Sequence, residues 1–431
     1  MTMLVVFLVG FLGLASAGKH DIYAGYTVHG VVIDSLAAQH LLHQLESDLD
    51  LDTLQDGAPP DRDAYIMVTP GNNEAFLKKL DENGVKHYVV ESNVPRSLEE
   101  FDADMMRFHR SRAGREAQPF EYYPRHDEVN EYLEKIAAEY PDLVTLVTAG
   151  LSYDGREIKY VKISTTNFED ASKPIYFMDA MIHAREWVTT PVSLYSIHRL
   201  VVDRREEDQD LLEGTDWIIY PVVNPDGYEF SHTDERLWRR TRSTNPNPDT
   251  ECRGADGNRN FDVAFNTTTG VSSNPCSQQY VGAGPFSEVE TRYIRDVLHE
   301  YLPRIQVYLN IHSHGNWVLF GFGNRTLPAN GVQLHHVGAV MGAAIDAVKL
   351  PQAPFYRVGN SAMLLYPTSG SAQDYAQHIG VPFSYTLELP GYSYAFQVPV
   401  TYIGQITSET WVGIAAQARL AKLHYNDRIR T

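Results

Sequence analysis

Ile175-Tyr176-Phe177-Met178-Asp179-Ala180-Met181-Ile182-His183-Ala184-Arg185-Glu186 is the stretch from which both fold and chemistry can be read. Its first part is an apolar run of strand length, the pattern of a core β-strand. At the end of that strand an imidazole and a carboxylate stand three residues apart, with an arginine between them. Two histidines and one glutamate form a known ligand set of catalytic zinc sites, which keep a further position open for water. His-x-x-Glu alone is a common spacing, so the reading depends on a second histidine converging from elsewhere.

On either side of this stretch, apolar strands alternate with long helical patterns. An amphipathic helix over 126–140 is stopped by Pro141, and paired strands follow over 144–151 and 156–164 around Tyr153-Asp154-Gly155. Further strands are expected over 216–223, 305–311 and 384–389, with helices over 189–202, 288–301, 334–348 and 407–424. This alternation predicts an α/β domain, a mixed sheet covered by helices. Residues 18 to about 110 read differently. Strands over 26–33, 65–68 and 85–90, helices over 36–49 and 74–80, and an acidic loop over 52–63 predict a small α+β open sandwich. Its histidines, His29, His40, His43 and His87, are scattered and read as surface residues. Between the two patterns a charged helix over 98–108 runs into Arg107-Phe108-His109-Arg110-Ser111-Arg112-Ala113-Gly114-Arg115. Basic and small residues on an exposed connection suit cleavage by a trypsin-like protease. The plainer alternative is a solvated helix end whose arginines face the dipole.

A formal net charge of −19 argues against a nucleic-acid partner, which needs clustered Lys and Arg. Residues 3–14 are an apolar run followed by Ala15-Ser16-Ala17, the pattern of a secretory signal peptide over 1–17 and too short to span a membrane. The only cysteines, Cys252 and Cys276, are close in sequence, and in an oxidising compartment one disulfide is the economical reading. Two buried free thiols are the alternative. Asn266-Thr267-Thr268 and Asn324-Arg325-Thr326 are glycan acceptor sequons in an exported chain.

Two more polar residues stand where strands should end. His312 follows Val307-Tyr308-Leu309-Asn310-Ile311, and Glu388 lies in Phe383-Ser384-Tyr385-Thr386-Leu387-Glu388-Leu389. Ligands of open α/β sheets gather at the carboxyl ends of strands. His312 therefore completes a ligand set with His183 and Glu186. A carboxylate in an apolar strand is expensive without a task, which makes Glu388 the candidate base; a core Glu–Arg pair is the alternative. Leu237-Trp238-Arg239-Arg240-Thr241-Arg242 and Gly257-Asn258-Arg259-Asn260-Phe261 supply guanidinium and amide groups of the kind that clamp a carboxylate. Zinc, a base and a carboxylate clamp together fit hydrolysis at the C-terminal residue of a peptide.

From about residue 120 onward the chain resembles the secreted zinc metallocarboxypeptidases of the carboxypeptidase A and B group. The resemblance rests on His183-Ala184-Arg185-Glu186-Trp187, Asn224-Pro225-Asp226-Gly227-Tyr228, Leu237-Trp238-Arg239, Gly257-Asn258-Arg259-Asn260, Ile311-His312-Ser313, Leu365-Tyr366 and Thr386-Leu387-Glu388-Leu389, in the family's order. The N-terminal part resembles the family's inhibitory activation segment. After the signal segment over 1–17, the resemblance implies an activation prodomain and linker over 18–115 and a catalytic domain over 116–431. It implies one Zn2+ on His183, Glu186 and His312, with Glu388 as general base and then general acid. Arg239 would stabilise the oxyanion, and Asn258 and Arg259 would bind the terminal carboxylate. Tyr366 would close over the bound residue, Arg185 would contact the peptide upstream, and Asp256 would orient His183.

The same alignment places Gln373 at the floor of the pocket for the terminal side chain, where an aliphatic residue accompanies apolar preference and an Asp basic preference. Gln can donate or accept, and Ser361 and Thr368 nearby are also small and polar. The expectation is carboxypeptidase A-like action with a polar pocket. The alternatives are carboxypeptidase B-like preference for basic ends, or a non-catalytic secreted binding protein on the same fold. His314 stands where the digestive enzymes usually carry Tyr. Expected partners are peptides with a free C-terminus and an activating trypsin-like protease, with no nucleic acid and no membrane. The chain is read as a secreted monomer, with a digestive lumen implied by resemblance alone.

Overall fold

The N-terminal part builds an antiparallel sheet from β1 (Thr27–Val31), β2 (Asp52–Gln55), β3 (Ala64–Val68) and β4 (His87–Glu91), in the order β2-β3-β1-β4. The computed structural model describes residues 18–49, 51–58, 62–111, 117–244 and 251–430. Helices Leu36–Leu49 and Asn73–Glu82 cover one face of this sheet, where Leu42, Leu45, Phe76 and Leu80 pack on Val31, Ile66 and Val68. The other face presents Val28 and Met67, which pack with Leu237 and Phe396 of the main domain. The reading of 52–63 as loop is corrected here. Asp52 is a poor strand former in isolation, but its charge is met by Arg185 of the main domain, and β2 pairs along β3. His29 is also corrected: it is buried, with its Nε2 2.7 Å from Asn73 Oδ1.

Helix Val94–Ser111 continues past the expected end and carries Arg107 and Arg110 on its exposed last turns. The signal segment 1–17 and the cleavage positions Arg112 and Arg115 lie outside the described residues.

The main domain holds a mixed sheet of eight strands: β5 (Val144–Leu151), β6 (Glu157–Ile163), β7 (Ile175–Ala180), β8 (Asp216–Tyr220), β9 (Ile305–Ser313), β10 (Trp317–Phe320), β11 (Arg357–Asn360) and β12 (Phe383–Leu389). Their order is β11-β10-β12-β9-β7-β8-β6-β5. The central strands β8, β7, β9 and β12 run parallel, and β7 and β9 are buried along their whole length, as strands covered on both faces must be. Alternate residues of β7 feed two cores. Tyr176 and Met178 meet helices Thr189–Val201 and Ile403–Arg430, while Ile175 and Phe177 meet helix Val289–Tyr301. Parallel neighbours end on the same side, so their carboxyl ends open one crevice.

Cys252 and Cys276 form a disulfide across a sequence separation of 24 residues. In the chain-entropy account a loop of this length contributes about 3 kcal/mol. Replacing both cysteines by serine is expected to lower unfolding free energy by about that amount in denaturant titration. An unchanged midpoint would show that the link does not constrain the unfolded chain. Both sequon asparagines, Asn266 and Asn324, are exposed. Among the described residues no helix is long and apolar enough to cross a membrane.

Candidate active site

Strand β7 ends at Ala180, and Met181 takes a left-handed backbone (φ 63°) that carries the chain out of the sheet and His183 into the crevice. Strand β9 instead runs on through His312. Because the two strands are parallel neighbours, the two rings meet with Nδ1 to Nδ1 at 3.1 Å. Glu186 Oε1 lies 2.8 Å from His183 Nδ1 and its Oε2 lies 3.0 Å from His312 Nδ1. Two imidazoles and a carboxylate, all buried, thus point one ligand atom each at a common centre. This donor set suits a tetrahedral zinc ion with one position left open. Burial lowers the pKa of His183, aided by Arg239, which favours the neutral ring a metal requires. Burial alone would raise Glu186, but the two histidines hold it well below the usual carboxylate range.

Asp256 sits behind this centre and ties His183 to Arg239. Its Oδ1 lies 2.9 Å from His183 Nε2, and its Oδ2 accepts from Arg239 Nη2 at 2.8 Å. Arg239 therefore reaches the metal cluster tethered, with Nη1 3.9 Å from Glu186 Oε1. Asn258 is fixed by Ala372 N, which donates to its Oδ1 at 2.8 Å. Arg259 donates through Nε to Gly270 O at 3.0 Å, and its Nη2 lies 3.3 Å from the Tyr366 hydroxyl. The segment carrying Tyr366 and Gln373 passes close to Arg259 only because residue 370 is glycine. Its φ is 71°, and a Cβ there would stand 2.3 Å from Arg259 O.

Glu388 pairs in register with His312 on the neighbouring strand, which sets its carboxyl beside the metal centre. Burial pushes its pKa up to about 7, with Glu186 and Asp56 adding to the rise. Gln373 lines the same cavity, as do Ser361, Thr368 and Thr386. The Oε1 of Gln373 and the hydroxyls of Ser361 and Thr386 are buried without a partner. Such groups want a polar ligand.

The N-terminal part lies across this cavity. Asp52 accepts from Arg185 Nη1 at 2.8 Å on both oxygens, and Thr53 O accepts from Arg185 Nη2 at 3.0 Å. Leu54 O lies 3.0 Å from His314 Nε2, and Arg62 Nη1 donates to Gly315 O at 2.6 Å. His43, read as a surface residue, packs its ring 4.5 Å from that of Tyr366. Arg185 is thus held by an internal carboxylate rather than open to a peptide.

Sequence reasoning missed several residues around the site. Asp179 on β7 and Asn310 on β9 are fully buried and joined to each other, and Asn310 reaches His312 Nε2. Tyr308 donates to the other oxygen of Asp179. Burial raises the Asp179 carboxyl to about 6 against these two hydrogen bonds. The signal was available, since a buried polar residue in an apolar strand calls for a partner. Arg236 is also buried; it donates to Arg185 O at 2.9 Å and stacks 3.6 Å from the Trp187 ring centroid.

Residues 129–413 match the family described as zinc carboxypeptidase, and residues 31–100 match the carboxypeptidase activation peptide. The chain is 45% identical to a carboxypeptidase B of Helicoverpa zea, over 94% of this chain and 95% of that one. It is 30% identical to carboxypeptidase A1 of Bos taurus, over 93% of this chain and 94% of that one. The crystal structure of a carboxypeptidase A from Helicoverpa armigera superposes with a TM-score of 0.89 at 41% identity, covering 93% and 98% of the two chains. With both its metal cluster and its covering segment accounted for, the chain belongs to the zinc carboxypeptidase family, as a metallocarboxypeptidase zymogen with its activation peptide at the N-terminal side.

Proposed function

We propose that this chain is a secreted exopeptidase that removes C-terminal residues of carboxypeptidase A type through a polar side-chain pocket. Residues 1–17 act as its signal, 18–115 as activation segment and linker, and 116–431 as the catalytic domain. The observation that carries the reading is the single cavity shared by the metal cluster, Glu388 and the Asn258–Arg259 pair. His183, Glu186 and His312 would hold the zinc, which when bound would supply an activated water and Lewis-acid polarisation of the scissile carbonyl. Glu388 takes the proton of the attacking water and passes it to the leaving amine. Arg239, aimed by Asp256, meets the developing oxyanion. Arg259 and Asn258 bind the terminal carboxylate, so an internal peptide bond lacks the charge that docks it. Tyr366 closes over the terminal residue, and Arg185 and His314 meet the peptide upstream once Asp52 and Leu54 have left.

Specificity follows from the pocket. Without a fixed charge at Gln373, a terminal ammonium or guanidinium has no counter-ion, and the unpartnered oxygens favour polar or mixed neutral ends. Preference for basic ends is the second reading, favoured by the similarity to a protein named carboxypeptidase B. A substrate panel ending in Phe, Leu, Gln, Lys and Arg, run on trypsin-treated protein, separates the two. Neutral ends are expected to give the highest kcat/KM, and a large preference for Arg sinks the first reading. Gln373→Asp is expected to raise kcat/KM for Lys and Arg ends by at least about tenfold.

A further inference from the structure

We propose that Asp179 and Asn310 form a polar relay that dictates which ring nitrogen of His312 carries the proton, keeping Nδ1 free for zinc. The proposal rests on zinc being held by His183, Glu186 and His312. Asp179 lies opposite Asn310 in the β7–β9 register, and Asn310 and His312, two apart on β9, share a face of the sheet. As a carboxylate, Asp179 only accepts. It takes the Tyr308 hydroxyl on Oδ2 and the Asn310 amide NH2 on Oδ1. Asn310 must then turn its carbonyl oxygen to His312 Nε2, which donates to it. A neutral imidazole protonated at Nε2 has its lone pair at Nδ1, the atom that faces Glu186 and His183.

A competing group makes the relay necessary. Asn258 Nδ2 lies 3.3 Å from the same Nε2, and Ala372 N holds that amide by donating to its oxygen. A donor there asks Nε2 to accept, which would move the proton to Nδ1 and block the metal. The Asn310 contact is the closer one and is backed by a charge, so it prevails. Asp179 and Asn310 are both fully buried, so water does not substitute for either. Asp256 does the corresponding work on His183 by touching the ring directly.

The test is zinc affinity of the full chain, measured by competition with a chromophoric chelator after metal removal. The parent is expected to bind one zinc; failure there would overturn the metal-site assignment itself. Asp179→Asn is expected to weaken zinc binding about 10- to 100-fold while the zinc-free protein still melts cooperatively. Asn310→Leu is expected to show the same loss, and it reads the relay if Asp179→Asn does not fold. Adding Asn258→Ala to Asp179→Asn is expected to recover part of the affinity, because the competing donor is gone. A purely structural role for Asp179 predicts no recovery, and that outcome overturns the tautomer account. Affinities within about threefold of the parent in both single variants overturn the relay while leaving the metal site intact.

Discussion

Glu388→Gln is expected to lower kcat by about 10²- to 10⁴-fold while leaving bound zinc unchanged. Glutamine keeps the shape and the hydrogen-bonding oxygen of the side chain but cannot shuttle a proton. Glu388 stands in register with His312, so its carboxyl is set beside the three clustered ligands without being one of them. Zinc content by atomic absorption, measured alongside turnover of the trimmed enzyme, separates loss of the base from loss of the metal. Retained turnover would remove Glu388 from the mechanism. Stability adds a second readout. The carboxyl is pushed up to about 7, chiefly by burial, and lies above its unfolded value near 4.3. A raised acid contributes stability below about pH 4, and that contribution is lost as pH rises through about 7. At pH 8 the zinc-free Gln variant is therefore expected to melt no lower than the zinc-free parent.

Cutting the chain in its basic connection and removing the N-terminal part is expected to raise activity on small substrates by about 100-fold or more. A covered cleft that is open in about 1% of molecules corresponds to about 2.7 kcal/mol of closure. The contacts between the two parts are enough to supply this. Arg185 gives Asp52 a buried ion pair, Arg62 and His314 make further polar contacts between the two parts, and Leu237 and Phe396 share an apolar cluster with Val28 and Met67. A hydrogen bond to a charged group is worth about 1.5–3 kcal/mol on its own. Asp52→Ala in the uncut chain is expected to raise basal activity by a smaller factor, because the apolar contact remains. Uncut protein that hydrolyses small substrates as fast as the trimmed form would show that the covering segment does not inhibit.

The site and the architecture differ in how far they were legible. His183, His312 and Glu388 could be singled out because each is a polar residue ending or interrupting an apolar run, a conflict visible in the string itself, and Glu186 by its three-residue spacing from His183. The alternation of strands and helices likewise yields the mixed α/β sheet, since periodicity is a local property. Strand β2 was invisible for the opposite reason. Its acidic residue is tolerated only through Arg185, which lies far away in sequence, so local composition reads it as loop. The short strands β10 and β11 also carry too few residues to show a period.

By itself, the sequence determined which side chains meet at the strand ends and therefore that this is a metal-dependent hydrolase of terminal residues. Only the tertiary structure decided that the N-terminal segment reaches into the cleft and ties down Arg185, and that Asp179 faces Asn310. Both depend on register and docking between segments more than a hundred residues apart in the chain. Those pairings are set by the packing of whole faces, and no local pattern of residues records them.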